Sequence, residues 1–311
     1  ADNDSTGSVS NTGTLSVADG SQGVELWAQN DVTLGGAIKT ANNGKAISAS
    51  NPLNYVELYA DSYSVGNGST ATLNIPVLAN YTELWGSMVK VMADVTGTGS
   101  GSEVNIYGGS QLTDGYAIRV AKDVTVAADN ISVGGMDEGS TMFPNVILQG
   151  TLAGNAIGFY GVSDVFSGPT GGLTVTGDNP SVEFDFTGRI KTAPYLNASN
   201  FRYNDLPINF DASASGPLNL KLNPVAYDTN GTNNGLAAVN ILVNGSVNLS
   251  QPSVNAFVQP NGTAVTGITN IPNTHLVLQA TGDITTGTVN SPSFYWPGYV
   301  YLGTVDSDTN G

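Results

Sequence analysis

One short pattern constrains this chain more than anything else in it: a Glu, an apolar residue, an aromatic, and then Ala or Gly. It occurs as Val24-Glu25-Leu26-Trp27-Ala28, Val56-Glu57-Leu58-Tyr59-Ala60 and Thr82-Glu83-Leu84-Trp85-Gly86. Looser copies follow at Glu103-Val104-Asn105-Ile106-Tyr107-Gly108 and Glu183-Phe184-Asp185-Phe186-Thr187-Gly188. Counted from Glu25 to Glu57 to Glu83 to Glu103, the steps are 32, 26 and 20 residues. A second pattern trails the first: Asp, a β-branched residue, Thr or Ser, an apolar residue. Asp31-Val32-Thr33-Leu34, Asp123-Val124-Thr125-Val126 and Asp283-Ile284-Thr285 carry it, with Asn130-Ile131-Ser132-Val133 as a variant.

Both patterns alternate with period two, the period of a strand and not of a helix. Gly66-Asn67-Gly68 and Gly97-Thr98-Gly99 supply turn chemistry between them. No stretch keeps a 3.6-residue period for three turns, so helix is expected to be nearly absent. Irregular steps with two or three short strands per unit predict a parallel β-helix, a β-solenoid. One unit cannot bury its inner face alone, so neighbours must stack. Roughly 10 to 14 coils at ~4.8 Å each predict a rod about 50–70 Å long. A tandem of immunoglobulin-like sandwiches competes with this reading. The recurring Glu-Leu-aromatic strand favours the solenoid, because strands within one sandwich need not resemble each other.

The expected organisation is one continuous solenoid, with coils over residues 1–193 and again over 236–311. Between them, residues 194–235 are rich in Asn, Pro and Asp and hold two strand-like runs, Leu206 to Phe210 and Leu218 to Leu222. That stretch reads as an irregular coil, an extra-helical hairpin or a boundary. Leu26, Leu58 and Leu84 are expected in the core, with Glu25, Glu57 and Glu83 on the solvated outer face. Stacked in register, those like charges would repel, and a cation or a shifted register would be required.

Composition removes several functions. The 311 residues carry Lys+Arg 9 against Asp+Glu 25, a formal net charge of −16, which repels phosphate backbones and anionic lipid. Nucleic acid and membrane insertion are therefore not expected, and no run approaches the ~18 apolar residues of a membrane helix. With Cys 0 there is no disulfide framework and no thiolate metal site. The start, ADNDSTGSVSNTG, has neither a basic nor an apolar leader segment. The chain reads as a slice of a longer one.

No nucleophile elbow, phosphate loop, dinucleotide fingerprint or zinc-binding helix motif occurs. The single histidine, His275, reads as a surface or turn residue, and Arg119, Arg189 and Arg202 are scattered rather than gathered beside carboxylates. No catalytic residue is expected. Asp306, Asp308 and Asn310 match the opening of a calcium loop without its closing Glu, with Asp228-Thr229-Asn230-Gly231 as a shorter echo. An ordinary turn is the plainer reading, so calcium is a weak cofactor candidate and no other is expected. Tyr295, Trp296 and Tyr299, in the run Phe294 to Leu302, are weak ligand-binding candidates that can stack on sugar rings or simply pack. Asn67, Asn80 and Asn197 each open an Asn-x-Ser/Thr triplet, as this composition would generate by chance.

The stretch Pro207 to Ile241, with its Leu-Asn-Leu-x-Leu strand and Asp/Asn/Gly-rich turn, resembles an element of filamentous haemagglutinin-like adhesins. Leu276 to Thr285 is similar to that family's shaft repeats. The resemblance implies a right-handed parallel β-helix, exported through an outer-membrane two-partner-secretion transporter to the bacterial cell surface. It implies a shaft or tip segment that binds a host or bacterial surface glycan or protein receptor. Haem or haemopexin capture and contact-dependent toxin delivery are the family's other roles. A polysaccharide-active β-helix enzyme is a further alternative. The family's amino-terminal secretion motifs are not seen.

Overall fold

The computed structural model describes residues 7–17, 23–40, 47–60, 68–109, 116–135, 145–162, 164–167, 170–185, 201–223, 237–248, 257–258, 264–265, 268–269, 275–285, 289–290 and 299–304. These hold strands and turns and no helix, as the period-two pattern demands. Most of the strands gather into three parallel ladders.

The first ladder runs through Gly23–Ala28, Leu53–Ala60, Val77–Gly86, Glu103–Gly108, Thr125–Gly135, Thr151–Tyr160, Ser181–Asp185 and Leu218–Asn223, each parallel to the next. A second passes through Val9–Asn11, Val32–Leu34, Thr70–Leu73, Met88–Val91, Ile118–Val120, Asn145–Leu148 and Asp164–Ser167. The third aligns Val77, Val95, Val126, Leu152, Leu173, Ile208, Val243 and Ala280 as successive Cα partners. Between Val77 and Asp185 the chain visits the ladders in fixed rotation. An immunoglobulin-like sandwich, built of antiparallel strands, does not fit. The one antiparallel strand pair among the described residues is Phe257–Val258 with Ala264–Val265.

The core forms where the inward positions of the ladders meet. In the first ladder Leu26, Leu58, Leu84, Ile106, Val133, Phe159 and Phe184 are consecutive partners. Leu58 and Leu84 are fully buried, as expected, while Leu26 is half-buried against the same cluster. Two residues along, Val24, Val56, Thr82, Val104, Ile131, Ile157 and Val182 form a second inward row. Burying each such Val or Leu is worth about 1.5–3 kcal/mol, and only stacking provides that burial. Thr82 is the polar member of the row; its Oγ1 is buried without a hydrogen-bond partner.

The Ala or Gly that closes the recurring motif marks a corner. Ala28, Ala60, Gly86 and Gly108 are partners at the end of the first ladder. A Cβ on Gly86 would stand 2.9 Å from the Met88 carbonyl oxygen and 3.1 Å from the Ala71 nitrogen, where the chain swings into the second ladder. Beside it Ser69 Oγ donates to the Ala60 carbonyl at 2.8 Å and meets the Ser87 hydroxyl at 3.2 Å. Asp31 of the second motif, and Asp94 outside it, have a similar local task. Asp31 accepts the Thr70 N–H at 2.9 Å, one course away, and Asp94 accepts that of Thr125 at 2.8 Å.

Within 194–235, the described strands Phe201–Phe210 and Leu218–Asn223 each pair in parallel with ladder neighbours and not with one another. The hairpin reading therefore gives way to ladder strands over 201–223. Residues 186–200 and 224–236 lie outside the described residues.

Candidate functional site

In-register stacking turns the outward half of each motif into continuous columns. Glu25, Glu57 and Glu83 are successive partners on the first ladder, followed by Asn105, Ser132 and Gly158. The like charges do stack, with no shift of register to part them. Two residues further along the strands, Trp27, Tyr59, Trp85 and Tyr107 form a parallel column, which is interrupted at Gly134 before the exposed Tyr160. On the other flank, Tyr55 and Tyr81 stand side by side, followed by Glu103. The carboxylates thus run between two aromatic columns.

Glu103 itself corrects the sequence reading. Its partner is Tyr81, and Asn105 is the residue opposite Glu83. Only the Glu of the fourth copy is displaced, by two residues, while Ile106, Tyr107 and Gly108 stay in register with Leu84, Trp85 and Gly86, and the unbroken run of carboxylates stops at three.

Glu25 is exposed, whereas Glu57, Glu83 and the aromatics of both columns are half-buried. The Tyr55 ring covers the bare backbone of Gly23, where a Cβ would meet the ring at 2.1 Å. Tyr59 and Trp85 make an edge-to-face contact with centroids 6.2 Å apart and planes at 66°. Asn105 Nδ2 donates to the Tyr81 oxygen at 3.4 Å, and the Tyr81 hydroxyl donates to the Glu83 carboxylate.

The electrostatics follow from this arrangement. Desolvation, and then the charges of Glu25 and Glu83, push the Glu57 carboxyl above its ordinary range. Desolvation also raises the phenols: Tyr59 with the help of Glu83 and Glu57, Tyr81 with that of its bond to Glu83, and Tyr107 with that of Glu83 and Glu103. They remain protonated donors. No Lys or Arg occupies an outward position of these columns on the four strands. Among the described residues, the charges that act on Glu57 are those of Glu25 and Glu83. The carboxylates run in a row instead of converging, and among the described residues no group of three His, Asp or Glu can hold a metal ion.

Other sequence candidates fall elsewhere. Tyr295, Trp296, Asp306, Asp308 and Asn310 lie outside the described residues, as do Asp228 to Gly231, Asn67, Arg189 and Asn197. Tyr299 opens the strand Tyr299–Thr304 with His275 as its Cα partner. Asn80 is exposed and accepts from the Thr98 hydroxyl at 2.9 Å. Arg119 is held by Gln149 at 2.8 and 3.1 Å and lies 6.0 Å from the Tyr116 ring, on the second ladder and not on the first, which carries the Glu column. A separate cleft of about 290 Å³, lined by Ile38, Ile47, Leu53, Ile75, Pro76 and Leu78 among others, has mainly apolar walls.

The outward aromatic column was missed in the sequence. Trp27, Tyr59 and Trp85 share parity with the Glu residues beside them, and that shared parity was the available signal. Comparison with family models, curated proteins and solved structures returns no match.

Proposed function

We propose that this chain is a segment of an exported bacterial surface adhesin that acts by binding, with the aromatic and carboxylate columns of the first ladder as its contact face. The fixed rotation through three parallel ladders supports a parallel β-helix, and the resemblance to filamentous haemagglutinin-like proteins supports a right-handed one. On this reading it leaves the cell through an outer-membrane two-partner-secretion transporter and meets a surface glycan or protein receptor.

One observation carries the binding reading. A β-helix needs only small polar residues on its outer face, yet here Trp27, Tyr59, Trp85, Tyr107, Tyr55 and Tyr81 are grouped on four adjacent strands. Large aromatics half-exposed in a contiguous patch are what a recognition surface requires. Catalysis finds less support: the carboxylates stand in a row on a flat face without a neighbouring cation.

Beads coated with the purified chain test this reading on bacterial and epithelial cells. Retention above albumin-coated beads, reduced by a Trp27→Ala/Trp85→Ala double variant that keeps its β-sheet spectrum, is the expected result. Retention equal to albumin overturns it.

A further inference from the structure

The occupant of the aromatic face can be narrowed by charge and by repeat. We propose that it is a linear glycan bearing free amino groups, of the partially N-deacetylated hexosamine type. This rests on the binding reading above and names the ligand class of that same face.

Charge comes first. The middle column is anionic over three consecutive strands, no Lys or Arg stands in it on those strands (Lys221 enters it only later, beside Glu183), and the whole chain carries −16. An acidic glycan or a nucleic acid is repelled, and a neutral one leaves the carboxylate row uncompensated. An ammonium group on the ligand offsets that repulsion, and its flanking aromatics add cation–π attraction. Each Glu also accepts hydroxyl hydrogen bonds, while the protonated phenols donate.

The repeat then separates glycan from polypeptide. The columns run across the strands, so successive Glu and aromatic positions recur every ~4.8 Å. An extended peptide presents same-side residues about every 6.6 Å, two residues at ~3.3 Å each, and drifts out of step within two strands. A pyranose ring in an extended β-linked chain advances by close to one inter-strand spacing and neighbouring rings are flipped, so same-side amino groups recur at close to two spacings and stay level with alternate Glu residues, Glu25 and Glu83. Sugar ring faces and Trp or Tyr rings stack readily, and Trp27, Tyr59, Trp85 and Tyr107 supply a continuous aromatic track beside the carboxylates.

The test is a calorimetric titration of the full chain with three probes: glucosamine oligomers, the same oligomers fully N-acetylated, and oligolysine of equal charge. Glucosamine oligomers are expected to bind, at least tenfold tighter than the acetylated ones, with affinity falling as salt rises. Glu57→Gln, which removes a strained charge without removing packing, is expected to weaken binding several-fold, and Trp85→Ala more. Equal binding of acetylated and deacetylated oligomers overturns the amino-group assignment. Stronger binding of oligolysine overturns the glycan in favour of a basic polypeptide. Failure of all three probes overturns the proposal, and bead retention on cells under the same conditions shows whether the binding reading survives it.

Discussion

Phe159 and Phe184 are partners on adjacent strands of the first ladder, with ring centroids 5.1 Å apart and planes only 10° from parallel. Both are fully buried, the two largest such side chains in the described core. The column they join begins with Leu26 and Leu58, so ring replaces branched aliphatic where the interior needs more volume. Phe184→Ala is expected to cost about 3–5 kcal/mol, and Phe184→Leu less, because Leu recovers part of the filled volume. Urea denaturation of the variants measures both; equal, small losses would mean that the rings do not fill the core.

Thr82 gives the opposite expectation. Its neighbours in the inward row are Val56 and Val104, and its hydroxyl has no partner. Thr82→Val keeps the shape and removes a buried unsatisfied group, a gain of about 1–3 kcal/mol. Thr82→Ser keeps the hydroxyl and loses a methyl, so it should be less stable than the parent. Denaturation midpoints of the three proteins rank as Val, Thr, Ser.

The carboxylate column sets a pH dependence. Burial and its two neighbours raise the folded-state value of Glu57 above its unfolded one. The folded state therefore holds that proton more tightly, and the resulting stability is fully present below the unfolded value. It is lost as pH rises through the folded value. From pH 4 to pH 7 this group makes the protein less stable. Glu57→Gln should melt higher than the parent at pH 7, with the difference shrinking toward pH 4. A variant that melts lower at pH 7 would show that the charge is compensated.

The corner after each motif predicts a position-specific glycine effect. At Gly86 an added Cβ meets backbone atoms of Met88 and Ala71, which cannot swing aside, whereas at Gly13 nothing lies within 4 Å. Gly86→Ala is expected to destabilise by about 1–3 kcal/mol, an overpacking cost. Gly13→Ala should be neutral, or stabilising by about 0.5 kcal/mol through the unfolded chain. Thermal melts of the two single variants are sufficient to compare them.

The facing of the strands was legible because period two leaves no choice: where Leu58 is inside, Glu57 and Tyr59 are outside. Register was legible only while the motif stayed intact. At Glu103 the sequence suggested alignment with Glu83, yet a shift of two residues preserves inside and outside, so alternation alone cannot detect it. Packing decides instead, by setting Val104 opposite Thr82 and Ile106 opposite Leu84. The aromatic face was hidden for a related reason. Trp27, Tyr59 and Trp85 lie far apart in the chain and become neighbours only once three courses stack. The candidates chosen at Tyr295, Trp296 and Tyr299 were adjacent in sequence, which is the cluster that reading along a chain finds first.

Register in the first ladder survives courses of very different length. Counted between partners, Glu83 to Asn105 is 22 residues, and Glu183 to Lys221 is 38. Nearly all of that length is absorbed in the links between ladders, the one in-strand step being the single-residue shift between Tyr203 and Leu206 against Val239 and Ile241. Reach along the axis is thereby decoupled from the sequence of any one link. On the parallel β-helix reading proposed above, duplicating one course in the gene adds a rung of about 4.8 Å and repeats its outward residues, while deleting one brings its neighbours together in unchanged alignment. A single-residue insertion within Leu53–Ala60 has no such tolerance, since it would turn Glu57 inward and Leu58 out to water. Recombination between repeats is then the natural way for such a chain to change, lengthening or shortening a tract of identical contact positions without redesigning any of them.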